Sequence, residues 1–179
     1  MTPDPLPPAQ LQMIWPERLL TSPPAVAVPE GYAMRQWAEA DADAYVALMM
    51  KAGFQSWSRE QLAQTLPSVL PGGFFVVEHA ATGALVATAM ARHRPIEGHP
   101  FGGELSWVAA DPEHKGRGLG MAVSAAVVAR FLRAGYRRIY LLTDDHRLAA
   151  IKVYLRLGFE PFLARDDMAK RWERILKQF

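Results

Sequence analysis

The decapeptide DPEHKGRGLG, residues 111–120, constrains this chain more tightly than any other stretch. Gly116, Gly118 and Gly120 alternate with Arg117 and Leu119, and Lys115 stands just before them. Downstream, Leu119, Val123, Val127 and Phe131 recur every fourth residue, which predicts a helix from about Gly118 to Arg133, closed by Gly135. Upstream, residues 104–110, ELSWVAA, read as a strand. A strand that passes through a bare turn into a helix start makes an anion site. Glycine permits positive φ and close approach, and the N–H groups of the first helical turn are unpaired. Two common phosphate loops are excluded. A triphosphate loop ends in Gly-Lys-Ser/Thr, and here Met121 follows Gly120. The dinucleotide fingerprint needs two residues between its second and third glycines, and here there is one.

The rest of the chain reads as alternating strands and helices. Strand patterns cover Tyr32–Trp37, then GFFVVEHA and ALVATAMARH joined by ATG with Gly83 in the turn, then RRIYLLT and FEPFLA. Helix patterns cover about Asp41–Lys51, SREQLAQTL with Ser58 and Gln61 at capping-box spacing, RLAAIKVYLRL closed by Gly158, and the amphipathic DDMAKRWERILKQF. RPIEGHPFGG reads as a loop. Such an order predicts an α/β layer structure around a mixed sheet. Eight of the fourteen prolines fall within residues 1–30, so that stretch is expected to be a Pro-rich arm lying extended over the surface of a domain at 31–179, with QMIWPERLL within it apolar enough to pack.

Composition narrows the function. Half of the 179 residues are hydrophobic, 21% are charged, and the net charge is +2, a balance expected of a globular protein without a strong polyanion-binding face. There is no cysteine, which excludes disulfides, thiolate metal sites and a cysteine nucleophile. No run of apolar residues reaches membrane-span length, and MTPDPLPPAQ lacks the pattern of a secretory leader, so a cytoplasmic location is expected. The histidines show no ligand-like spacing, and no metal is expected. In TDDHR, residues 143–147, an aspartate is expected to cap the following helix, the alternative being an acid/base cluster or part of a metal site with His146. Arg165, Lys170, Arg171, Arg174 and Lys177 are read as the solvated face of the last helix rather than a nucleic-acid surface.

The glycine loop, with VAADPEH before it, resembles the acyl-CoA pyrophosphate loop of the GNAT family of N-acetyltransferases. A second block agrees: AAIKVYLRLGFEP resembles that family's helix-and-strand motif, in the right order and one strand later. The resemblance covers about residues 31–164. It implies a mixed, mostly antiparallel central sheet with helices on both faces, and transfer of an acetyl group from acetyl-CoA to a primary amine by direct attack in a ternary complex. The alternative is an acyl-CoA-binding module without turnover. Lys115, Gly116, Arg117, Gly118, Leu119, Gly120 and Met121 would hold the cofactor's pyrophosphate. Lys115 replaces the usual Gln or Arg, keeping a cation but losing the planar fork. Arg147 replaces the family's frequent Asn and either reaches a CoA phosphate or sits in solvent.

The resemblance also implies that backbone N–H groups near Val108 and Ala109 polarise the acetyl carbonyl, and that Tyr154 occupies the general-acid position. A thiol near pKa 8.5 and a tyrosine near 10 make full proton transfer uphill by roughly 2 kcal/mol, so Tyr154 either has a shifted pKa or donates a hydrogen bond to developing charge. Otherwise Tyr154 is a core-edge residue beside Ile151 and Leu155. Glu104 alternates with Ser106 and Val108, opposite Leu105 and Trp107, and is the candidate base; otherwise it is an ordinary strand-end carboxylate. The acceptor is expected to be a small-molecule or peptide amine, bound near Phe54–Gly73 and Arg94–Gly103. A monomer or homodimer is expected, with neither nucleic acid nor membrane as partner.

Overall fold

Residues 9–179 are described by a computed structural model. Seven strands, β1 (Leu11–Ile14), β2 (Tyr32–Gln36), β3 (Val69–His79), β4 (Leu85–His93), β5 (Gly103–Ala110), β6 (Ile139–Thr143) and β7 (Glu160–Phe162), form one sheet in the order β2-β3-β4-β5-β6-β1-β7. All pairings are antiparallel except β5–β6, whose connection is long enough to carry a crossover helix. The helices are α1 (Ala42–Lys51), α2 (Arg59–Thr65), α3 (Leu119–Arg133), α4 (Leu148–Leu157) and α5 (Asp166–Leu176). The α/β class, the mostly antiparallel sheet and the order of elements agree with the sequence reading.

Alternation along β3 divides the core in two. Phe75 and Val77 join a cluster with Leu119, Val123, Val127 and Phe131, the predicted stripe of α3, together with residues of α4 and α5. Phe74 and Val76 join a second cluster with Tyr45, Leu48 and Met49 of α1 and Leu62 of α2. Helices therefore cover both faces. Glycine closes α3 and α4 as expected: Gly135 and Gly158 both take positive φ. Ser58 Oγ accepts the Gln61 N–H at 3.2 Å, as its spacing predicts.

Three expectations change. The stretch expected to lie over the surface enters the sheet: β1 pairs antiparallel with both β6 and β7, and Leu11 and Met13 are fully buried. Extended backbone was the correct conformation there, but the Leu11, Met13, Trp15 alternation directs it inward rather than over the surface. Residues 1–8 of that stretch lie outside the described residues. Neither Asp144 nor Asp145 caps α4, whose N-cap is Arg147. Both carboxylates instead meet guanidinium groups, Arg147 Nε at 3.1 Å and Arg171 Nη2 at 2.5 Å. Arg171 is consequently not on a solvated face: it is buried between Asp145, Asp167 and the carbonyl of Ala9.

Candidate active site

The parallel ladder between β5 and β6 consists of two register pairs, Gly103↔Ile139 and Glu104↔Tyr140. Past Glu104 the strands separate, and β5 has no partner on that side among the described residues. Its pairing with β4 is also irregular there. Thr88 lies opposite Ala109 and Met90 opposite Ser106, so Ala89 alone faces both Trp107 and Val108. This bulge places Trp107 at φ +53°, a conformation that bulky L-residues rarely adopt and that clusters at functional sites.

The bulge overturns one detail of the expected alternation. Leu105 and Val108 pack with the cluster under α3, whereas Trp107 packs with the cluster under α1 and α2, its ring 4.1 Å from that of Trp57. One inserted residue reverses the sides of everything after it. Ala109 is accordingly buried in the second cluster and does not line the opening.

The separated strands bound a cleft of about 400 Å³. Glu104 and Val108 line it from β5, Tyr154 and Arg147 from the α4 side, and Phe54 from the α1–α2 connection. The expected site residues Glu104, Val108, Arg147 and Tyr154 thus share one cavity with Phe54 of the expected acceptor region. Lys115–Met121 do not line it; they form the turn into α3 and its first three residues. Gly116 and Gly118 both have φ +80°, and Gly118 is the N-cap of α3 without any side-chain cap, which leaves the first-turn N–H groups unpaired by a cap. At Gly120 a Cβ would meet nothing within 4 Å and φ is ordinary, so nothing in the protein itself demands glycine there.

Glu104 is only 4% exposed. Its Oε1 accepts from Arg94 Nη1 at 2.8 Å and its Oε2 from Arg92 Nη1 at 3.4 Å. Burial pushes its pKa above the ordinary carboxylate value, and the two guanidinium groups recover only part of the shift. Arg92 is itself fixed by Ser68 Oγ at 2.8 Å. Sequence reasoning missed Arg92 and Arg94. The signal available was two cations at alternate positions of an otherwise apolar strand pattern, MARHR.

Tyr154 is buried, and its pKa is pushed up by loss of solvent, with Arg147 opposing weakly. Its hydroxyl has no hydrogen-bond partner among the described residues. Arg147 lies with its guanidinium carbon 4.7 Å from the centre of the Phe54 ring and its Nε on Asp144, a fixed cation at the cleft rather than a free surface side chain. Ser106 and Thr143, on facing walls, each bury a hydroxyl that has no partner among the described residues. Among the described residues no group of three or more His, Asp or Glu gathers as for a metal ion. No helix among them is long and apolar enough to cross a membrane.

The sequence model of the Acetyltransferase (GNAT) family matches residues 32–159. A mycothiol acetyltransferase of Thermobispora bispora is 36% identical over 154 residues, covering 79% of this chain and 51% of that protein. Another mycothiol acetyltransferase, of Pseudarthrobacter chlorophenolicus, is 30% identical over 163 residues, covering 84% of this chain and 50% of that protein. This chain thus spans about half the length of the curated relatives it matches. In fold it is similar to a GCN5-related N-acetyltransferase from Sphaerobacter thermophilus, with a TM-score of 0.69, 22% identity, and coverage of 87% of this chain and 50% of the other. The family match spans the diverging strands, the glycine turn and the Tyr154 helix together, and the chain belongs to the GNAT acetyltransferase family.

Proposed function

We propose that this chain is an acetyl-CoA-dependent N-acetyltransferase that works by direct attack of an amine within a ternary complex. The observation that carries the reading is the separation of β5 from β6, which gathers Glu104, Val108 and Tyr154 around one cleft. Acetyl-CoA supplies an activated acetyl thioester. The site has features that suit it. Gly120 is bare where only an outside ligand would need it bare, and the partnerless hydroxyls of Ser106 and Thr143 offer polar sockets along the cleft walls.

In this reading the N–H groups of Leu119, Gly120 and Met121 hold the pyrophosphate at the positive end of α3, with Lys115 and Arg117 adding charge. The unpaired β5 backbone at Val108, with Ala109 behind it, polarises the acetyl carbonyl. Glu104 accepts the proton that the amine sheds as the new C–N bond forms. Tyr154, its pKa raised by burial, donates a hydrogen bond to the sulfur as the C–S bond breaks, and the thiolate takes its proton from solvent. Arg147 contributes a cation at the cleft wall. The relatives named mycothiol acetyltransferase support acetyl transfer as the chemistry, and an amine related to mycothiol is one acceptor to test.

The test combines two measurements. CoA at about 100 times its Kd stabilises a binding protein by roughly 2.7 kcal/mol, which a thermal melt detects. Acetyl-CoA with a panel of amines then releases free thiol if transfer occurs. Stabilisation without thiol release from any amine would indicate the binding module instead, and no stabilisation would remove acetyl-CoA from the reading.

A further inference from the structure

The acceptor end of the cleft carries an unbalanced charge. Two guanidinium groups, Arg92 and Arg94, share the single carboxylate of Glu104. Among the described residues the other charged pair lining the cavity, Arg147 with Asp144, is balanced within itself. Arg92 is nearly enclosed, with one of its donors on Ser68 and one on Glu104. Arg94 is different: its side chain is 43% exposed, it lines the cleft, and it spends one N–H on Glu104. A guanidinium has five N–H donors, so most of the Arg94 fork is left to face the cavity.

An ammonium ion entering here meets two cations and a carboxylate already shared between them. A neutral amine does not suffer that repulsion, and an anion on the same molecule would be attracted. Planar oxyanions match the guanidinium fork with two parallel hydrogen bonds. Glu104 keeps lone pairs beyond the two engaged by arginine, so it can still take a proton from a nitrogen held beside it. We propose, resting on the acetyltransferase reading above, that the acceptor is an amine bearing an anionic group, carboxylate or phosphate, near its nitrogen, and that Arg94 is the residue that selects it.

The experiment uses the full chain and matched acceptors that differ in the anion: tyrosine against tyramine, and glucosamine 6-phosphate against glucosamine. In thiol-release assays the anionic member of at least one pair exceeds its neutral counterpart by about 10-fold or more in kcat/KM, in line with charge-assisted hydrogen bonds. Which pair responds distinguishes carboxylate from phosphate. Arg94→Gln brings the ratio to within about 2-fold, and Arg94→Lys keeps part of it. Thermal melts with CoA in place of acetyl-CoA, where no transfer can occur, give the same order of binding. Neutral members that equal or exceed the anionic ones in both assays, or a preference that survives Arg94→Gln, overturn this inference while the acetyltransferase reading stands. No thiol release from any acceptor and no stabilisation by CoA overturn both.

Discussion

Arg138 Nε donates to His99 Nδ1 at 3.0 Å, which leaves the opposite ring nitrogen, Nε2, to donate to Gln12 Oε1 at 2.8 Å. The imidazole is stacked on Tyr140, packs against Phe162 and is fully buried, so it clamps the 94–103 loop to β1, β6 and β7. Burial, reinforced by the Arg138 charge, pushes its pKa down from 6.5 to about 4. The folded chain holds the ring neutral, while the unfolded chain takes up a proton below about pH 6.5. This contribution to stability is therefore complete above that value and is lost as pH falls toward 4. The thermal midpoint should drop across that window, and His99→Gln should drop less while starting from a lower midpoint at pH 7. Parallel curves for the two proteins would assign the acid sensitivity to other groups.

Gly120→Asp separates ligand binding from folding. The position has ordinary φ and open space, and an acidic side chain in the first turn favours the helix by about 0.3–1 kcal/mol. The unliganded melting temperature should be unchanged or slightly higher. The same charge opposes a pyrophosphate, so stabilisation by CoA should disappear. A CoA shift equal to that of the parent would mean that the phosphates bind elsewhere.

Tyr154→Phe tests the thiolate partner. Burial raises the Tyr154 pKa, so the hydroxyl stays protonated through any practical alkaline range and acts as a donor. Turnover should fall by about 10²-fold, with CoA affinity retained. The parent should show no alkaline decline of kcat below about pH 10 from this group. A mutant with the parent's turnover under chemistry-limited conditions would take Tyr154 out of the reaction.

For Glu104 the sign of the shift sets the acid limb. Burial raises its pKa, so kcat/KM should begin to fall on acidification at a pH above the usual carboxylate value of about 4.3. Glu104→Gln should remove that limb and cost most near pH 7. The deficit should narrow as alkali deprotonates the amine without help. If the deficit is constant from pH 6 to 10, Glu104 positions its arginines and the base is another group.

Local periodicity carried the sequence reading a long way. The stripe from Leu119 to Phe131, the glycine turn and the Tyr154 helix are written in neighbours a few residues apart, and all of them appear where expected. What was hidden depends on partners distant in sequence. The bulge at Trp107 arises from register against β4, and strand alternation cannot reveal an inserted residue. The two arginines meet Glu104 across a strand pair, at separations of 12 and 10 residues. The aspartates of TDDHR carry the composition of a cap, but Arg171, 26 residues beyond Asp145, offers a charged partner that a backbone N–H cannot match. β1 was obscured by the prolines around it, because its four residues gain strand character only from β6 and β7.

That last pairing has a consequence for how the protein is made. Gln12 sits opposite Leu142 and Phe162, so a segment that leaves the ribosome early acquires its hydrogen-bonded neighbours only when the end of the fold has emerged. β2 to β5 can form their meander during synthesis, whereas β7 has β1 as its sheet neighbour and must wait for these two strands, far apart in sequence, to come together. Until then Leu11 and Met13, fully buried in the finished sheet, lack the strands that bury them. Closing so large a loop should make the joining of β1 to β7 the slow step of assembly.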